Sequence, residues 1–183
     1  MTTNSNQHDS IQRSIEQLNA VFQMRKMLVN VEAWLDKAMV CAKARSFDSG
    51  VLLLARLAPD QLPLVRQVQS ACDRAKYAAA RLAGREAPRH PDDEQTVQEL
   101  RARIQTCLAY LDTFFPADLL GGESRLVEIP FLDGKAMRGS DYLRELALPG
   151  FYFHVITAYS ILRHNGVDLT MRDFIGAVAL LDR

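Results

Sequence analysis

Between Ile11 and Arg45 the chain holds neither proline nor glycine, and the apolar residues Ile15, Leu18, Phe22, Leu28, Leu35 and Met39 recur at spacings near three, four and seven. That is the period of a helix with a buried stripe. The segment therefore predicts one long helix, broken at most once, with Val31 and Trp34 widening the buried face and the turn residues from Ser46 to Gly50 ending it. Composition agrees, since 9 glycines and 7 prolines in 183 residues are few for a protein of many short strands and tight turns.

With 48% hydrophobic and 24% charged residues, the chain has ordinary globular usage and enough length for one core. Disorder, collagen and a small disulfide scaffold are excluded as descriptions of the whole. Residues 1–10 are polar, with nothing to bury, and predict a disordered tail; residues 11–183 are then a single domain. Lys plus Arg and Asp plus Glu each total 22, so no global field favours nucleic acid or an anionic membrane. Three cysteines without an export signal suit a reducing compartment, and no apolar run reaches the length of about 18 residues that would cross a bilayer. The expectation is a cytoplasmic protein with no nucleic-acid and no membrane partner.

Val51 to Pro59 reads as a packed connector that stops where proline disfavours helix in the residue before it. Asp60 stands as an N-cap, with Pro63 in the first turn of a second helix that carries Val65, Val68, Cys72, Ala75, Ala79 and Leu82 inward and ends at Gly84. Its many alanines imply close helix approach. After an exposed loop, Thr96-Val97-Gln98-Glu99 fits a capping box, starting a third helix with Leu100, Ile104, Cys107, Leu108 and Leu111 inside. Asp133-Gly134, flanked by Arg125 to Phe131 and Lys135 to Gly139, predicts a short β-hairpin. Ser140 can cap a fourth helix that Pro149 kinks or restarts and that closes at Asn165-Gly166, and a last short element covers Leu169 to Leu181.

Of the four histidines only His154 lies on a strongly apolar helical stripe, among Phe151, Val155, Ala158 and Leu162. It is either a core histidine satisfied by one buried partner or a ligand or proton carrier in a pocket within the bundle. Metal binding on a helix wants a second ligand three or four residues away, and the four-residue neighbours of His154 are Gly150 and Ala158. Gln69 and Asp73 share a face of the second helix; Asp73, next to inward Cys72, could meet His154 or an arginine and form a carboxylate and imidazole pair for acid-base work. Tyr159, with Phe151, Tyr152 and Phe153, could stack a ligand or simply pack. The three cysteines read as small hydrophobes, and the common nucleotide, hydrolase and zinc-protease motifs do not occur.

Three stretches carry a resemblance: Ala55-Arg56-Leu57-Ala58-Pro59-Asp60 with Pro63-Leu64; Gln67-Val68-Gln69 with Ala71-Cys72-Asp73 through Arg81-Leu82-Ala83-Gly84; and Phe151-Tyr152-Phe153-His154 with Ala158-Tyr159, Ile161-Leu162-Arg163 and Gly166-Val167. Together they resemble a domain-of-unknown-function family of the DinB/YfiT-like metalloenzyme superfamily. The resemblance implies an all-α, antiparallel four-helix bundle with a pocket at one end and homodimerisation, and the short β-hairpin read from Asp133-Gly134 falls between its helices 3 and 4. It also implies, for better-known DinB-like members, a divalent metal on three histidines and, in some, thiol-dependent transfer. Here that triad is incomplete, so a divalent cofactor stays open. Two readings follow. In one, the end pocket binds a small molecule or runs thiol-transfer or hydrolytic chemistry with His154 and Asp73 as catalytic groups and Gln69 and Tyr159 as cofactor-binding ones; in the other, a non-enzymatic dimeric structural or interaction protein has lost the metal site.

Overall fold

The computed structural model describes residues 2–131 and 133–181, with side chains from residue 9 onward. Helix α1 (Thr2–Ala44) is followed by the short α2 (Gly50–Leu54), then α3 (Leu64–Ala83) and α4 (Val97–Leu111). A 3-10 turn (Pro116–Leu119) leads into strands β1 (Leu126–Glu128) and β2 (Ala136–Arg138). One helical turn, α5 (Gly139–Asp141), passes through a π-helical stretch (Tyr142–Ala147) into α6 (Leu148–His164), and α7 (Met171–Ile175) comes last.

The four long helices α1, α3, α4 and α6 form the antiparallel bundle. Its largest interface is α3 on α6, and α4 and α1 complete the ring. Along α3 the inward residues Val68, Cys72, Ala75, Ala79 and Leu82 are fully buried. Small side chains at these positions let α6 come close enough to bury Phe151, Val155, Ala158 and Leu162. Each large apolar side chain so enclosed contributes roughly 1.5–3 kcal/mol relative to exposure.

The ends of the helices follow from local chemistry. Gly84 caps α3 in the left-handed conformation at φ 66, where a side chain would be strained. The capping box of α4 is present in both directions, with Glu99 N donating to Thr96 Oγ1 at 3.1 Å and Thr96 N donating to Glu99 Oε2 at 2.9 Å. Asp133 and Gly134 both take positive φ in the turn of the hairpin, whose register pairs Val127 with Met137.

Four expectations change. Residues from Thr2 to Ser10 continue α1 rather than forming a tail, because nothing before Gly50 interrupts the helix. Pro63, not Asp60, takes the N-cap position of α3, its ring supplying the extended backbone before the first turn. Ser140 is not a cap; Arg138 precedes α5. On α1, Ile15 and Phe22 are exposed, and the buried line runs through Leu18, Val21, Met24, Leu28, Val31 and Leu35. That helix carries apolar residues on two sides, so periodicity alone assigned two of them to the wrong one.

Pro149 does act at the start of α6. It has no N–H to offer the carbonyl four residues back and its ring crowds that carbonyl. The preceding turn widens to the π form instead, from Tyr142 to Ala147, and such insertions re-aim side chains at functional sites. At the opposite side of the bundle, α7 folds back on α1. Trp34 Nε1 donates to the Asp173 carbonyl at 2.9 Å, and its ring stacks on Phe174.

Candidate functional site

The polar face of α3 gathers Arg66, Ser70, Asp73, Arg74, Tyr77 and Arg81 at steps of three and four, so they form one stripe along the helix. With His154 from α6, Tyr142 from the π-helical stretch, Pro130 and Phe131 from the hairpin and Asp92 from the loop before α4, this stripe lines a cleft of about 280 Å³. A larger depression of about 470 Å³ lies along α1 beside Val40, Cys41 and Gly166. Its lining is mostly apolar, and its Lys37 and Arg45 are engaged by Asp173 and by the Asn165 carbonyl. Small-molecule sites combine a concavity with convergent polar groups, and the first cleft has more of them than the second.

His154 is buried, and its Nδ1 lies 2.8 Å from Gln67 Oε1. The amide of Gln67 is fixed from its other end, where Nε2 donates to the Leu62 carbonyl at 3.0 Å. Gln67 therefore presents its oxygen, an acceptor only, and Nδ1 must carry the proton. Nε2 is left with its lone pair and no partner among the described residues. Burial pushes the imidazole pKa down to about 4, helped by the Arg74 guanidinium, so His154 is neutral at pH 7.

Asp73 faces the same cleft but does not pair with His154. Its Oδ1 accepts from Arg103 Nη2 at 2.8 Å and from Lys76 Nζ at 2.8 Å. Lys76 is 1% exposed, and its ammonium also meets His90 Nδ1 at 3.4 Å and the face of Tyr77. Arg103 bonds the Pro91 carbonyl, Asp92 and Glu94, and Arg66 bonds Asp92 at 2.7 Å. Gln69 turns away from His154: it accepts from Arg66 and donates to Glu94. These contacts strap the loop between α3 and α4 onto the bundle. Tyr159 lies at the α7 side instead, edge-on to Trp34 and Phe174, with its hydroxyl donating to the Leu169 carbonyl.

Sequence reading missed Gln67 as the partner of His154, and missed Arg74, Arg81 and Tyr142. The signal was present in α3, where Arg66, Ser70, Arg74, Tyr77 and Arg81 repeat at four, four, three and four on a helix whose other side is apolar. Tyr142 had no such signal, since the π-helical register that aims it is not written in a period of 3.6.

Residues 18–175 match a family described as a domain of unknown function, DUF1993. The chain belongs to this family. A crystal structure of a DinB family member protein from Shewanella denitrificans is similar to this DUF1993 chain at 42% identity and a TM-score of 0.91, covering 94% of this chain and 99% of that one. The fold is thus DinB-like. Among curated proteins no sequence matches.

A divalent metal, which the resemblance implies for DinB-like proteins, does not fit the residues of this DUF1993 chain. Around His154 the helical neighbours four residues away are Gly150 and Ala158, and α3 offers Gln67, already bonded at both ends of its amide. Among the described residues no group of three or more His, Cys, Asp or Glu side chains could hold a metal ion. The Arg74 guanidinium lies against Gly150, so closely that a Cβ built there would be 2.9 Å from Arg74 Cζ. A cation of the protein occupies the space where a ligand at position 150 would stand.

Proposed function

We propose that this DUF1993 protein binds a small molecule in the cleft between α3, α6 and the hairpin, with His154 as a neutral acceptor. One observation carries the reading: the Gln67 bond fixes the tautomer, so Nε2 is an acceptor without a partner among the described residues, beside a concavity. A ligand hydroxyl, amine or thiol hydrogen satisfies it. An imidazole with a pKa of about 4 is a weak proton acceptor at neutral pH. Recognition is therefore favoured over thiol transfer or hydrolysis, and Asp73, held by Lys76 and Arg103, positions the strap rather than a proton. The test is a ligand screen followed by 15N spectra of the His154 ring. Binding that shifts its Nε2 resonance supports the reading, and ligands that bind without moving it overturn it.

A dimeric role has its own support. Ile11, Ile15, Phe22, Val29 and Val40 are exposed on α1, and their spacings place them within about 40° of one another around the helix. Such a strip suits a second copy of the chain. Light scattering of the wild type and of Phe22→Glu tests it: a dimer that the substitution dissociates is expected, and a wild-type monomer at high concentration overturns it.

A further inference from the structure

We infer that the cleft is built for the oxyanion of its ligand, a carboxylate or phosphate group gripped by Arg74 and Arg81, while another part of the ligand reaches His154. The inference rests on the cleft being a ligand site and names the chemical class that enters it.

Charge balance around the cleft carries the argument. Asp73 and Asp92 line the cleft and Glu94 adjoins them through Arg103, and Arg66, Lys76 and Arg103 pair with these three carboxylates. These six charges cancel. Arg74 and Arg81 remain, both half-buried and neither in an ion pair among the described residues. Two guanidiniums of like charge on one helix face, about two turns apart, repel in a partly desolvated site. An anion between them removes that repulsion.

The Arg81 guanidinium is also held in advance. Arg81 lies over the rings of Tyr77 and Tyr142, at 5.1 Å and 5.5 Å from their centroids, and donates to the Tyr142 hydroxyl at 3.2 Å. Stacking fixes its plane and leaves other N–H groups of the fork free for an acceptor. Arg74 rests on the bare backbone of Gly150, in space that any side chain there would fill. The Tyr142 phenol, which burial keeps protonated well above neutral pH, completes the polar lining together with Ser70. At about 280 Å³ the cleft lies just below the usual range of ligand pockets, which begins near roughly 300 Å³. The ligand is a small acid or phosphate ester carrying a hydroxyl, amine or thiol, not a polymer.

The experiment uses the full chain, with inorganic phosphate and malonate as separate probes, titrated by calorimetry and followed in the spectra of the arginine Nε–H groups and the His154 ring. One or both probes should bind with a Kd of about 1 mM or tighter. Arg74→Gln and Arg81→Gln should each weaken binding about tenfold, Arg74→Lys less, and Arg163→Gln, which removes the same charge far from the cleft, not at all. The bound anion should raise the His154 pKa by offsetting the field of Arg74, a change that thermal stabilisation alone does not produce. Preference for phosphate or malonate separates the two sources of oxyanion. Equal weakening in Arg163→Gln means general charge screening and overturns the inference. So does the absence of binding up to roughly 10 mM when neutral ligands still shift the His154 ring, in which case the cleft remains a ligand site. If neither anions nor neutral ligands reach His154, both readings fall together.

Discussion

The Nδ1 of His154 and the Oε1 of Gln67 lie 2.8 Å apart, a bond that ties α6 to the first turns of α3 across the bundle's largest interface. It converts a titratable side chain into a fixed dipole. The donor end is satisfied inside the core, and the acceptor end is left for the cleft.

The pH dependence of stability follows from the burial of this ring and the nearby Arg74 guanidinium. His154 in the folded chain has a pKa of about 4 against 6.5 for an ordinary histidine, so between those values the unfolded chain binds more protons. Stability therefore falls as pH drops from about 6.5 to about 4, and this contribution levels off below. His90, whose pKa burial and Lys76 also lower, acts in the same direction. Unfolding midpoints of wild type and His154→Gln across that range separate the two, with a shallower slope expected in the variant. A ring titration near 6.5 in NMR would contradict the assignment.

Replacing the acceptor tests the tautomer. In Gln67→Leu the Nδ1–H and the Leu62 carbonyl lose their partners, and stability should fall by about 1–3 kcal/mol. In Gln67→Glu a carboxylate faces the ring, favours the imidazolium, and should lift the His154 pKa well above its wild-type value. An unchanged titration in Gln67→Glu would show that the ring does not face this residue.

Much of the frame was legible in the sequence because its signals are local. Thr96 with Glu99, Gly84, and Asp133-Gly134 each act through backbone geometry within a few residues, and each stands where its type predicts. His154 could be singled out because it interrupts an apolar stripe. Its partner could not, since Gln67 and Gln69 differ by two positions on a helix and only the docking angle of α6 decides which one meets it. Asp73 was placed beside the cleft, yet its partners Lys76 and Arg103 depend on how α4 and the strap fold over α3. Tyr159 shows the reverse failure, a ring on the right helix but turned toward α7.

Asp73 pairs with Lys76 and Arg103, and its removal should cost stability. Lys76 and Arg103 have side chains 1% and 3% exposed, so Asp73→Ala leaves buried cations short of a partner and should destabilise by roughly 3–5 kcal/mol. Lys76→Met keeps the volume, leaves Asp73 on Arg103, and should cost less than about 1.5 kcal/mol. Urea unfolding of the two variants decides it. Near-equal losses would mean that the ion pair is not where the strap draws its stability.

Gly150→Ala separates folding from recognition at one atom. Gly150 has ordinary helical backbone, so alanine should favour α6 by roughly 0.5–1 kcal/mol through reduced backbone entropy of the unfolded chain. The added methyl, however, would meet the Arg74 guanidinium at 2.9 Å, and because that group ends a flexible side chain it moves rather than the helix. Displaced from His154, it lowers the ring's pKa less, so the titration should move up from about 4 while phosphate or malonate binding weakens. A midpoint of thermal unfolding that stays level or rises, together with loss of anion affinity, is the expected pair of results. Loss of stability with unchanged affinity would place Arg74 elsewhere and remove the reason for a glycine at this position.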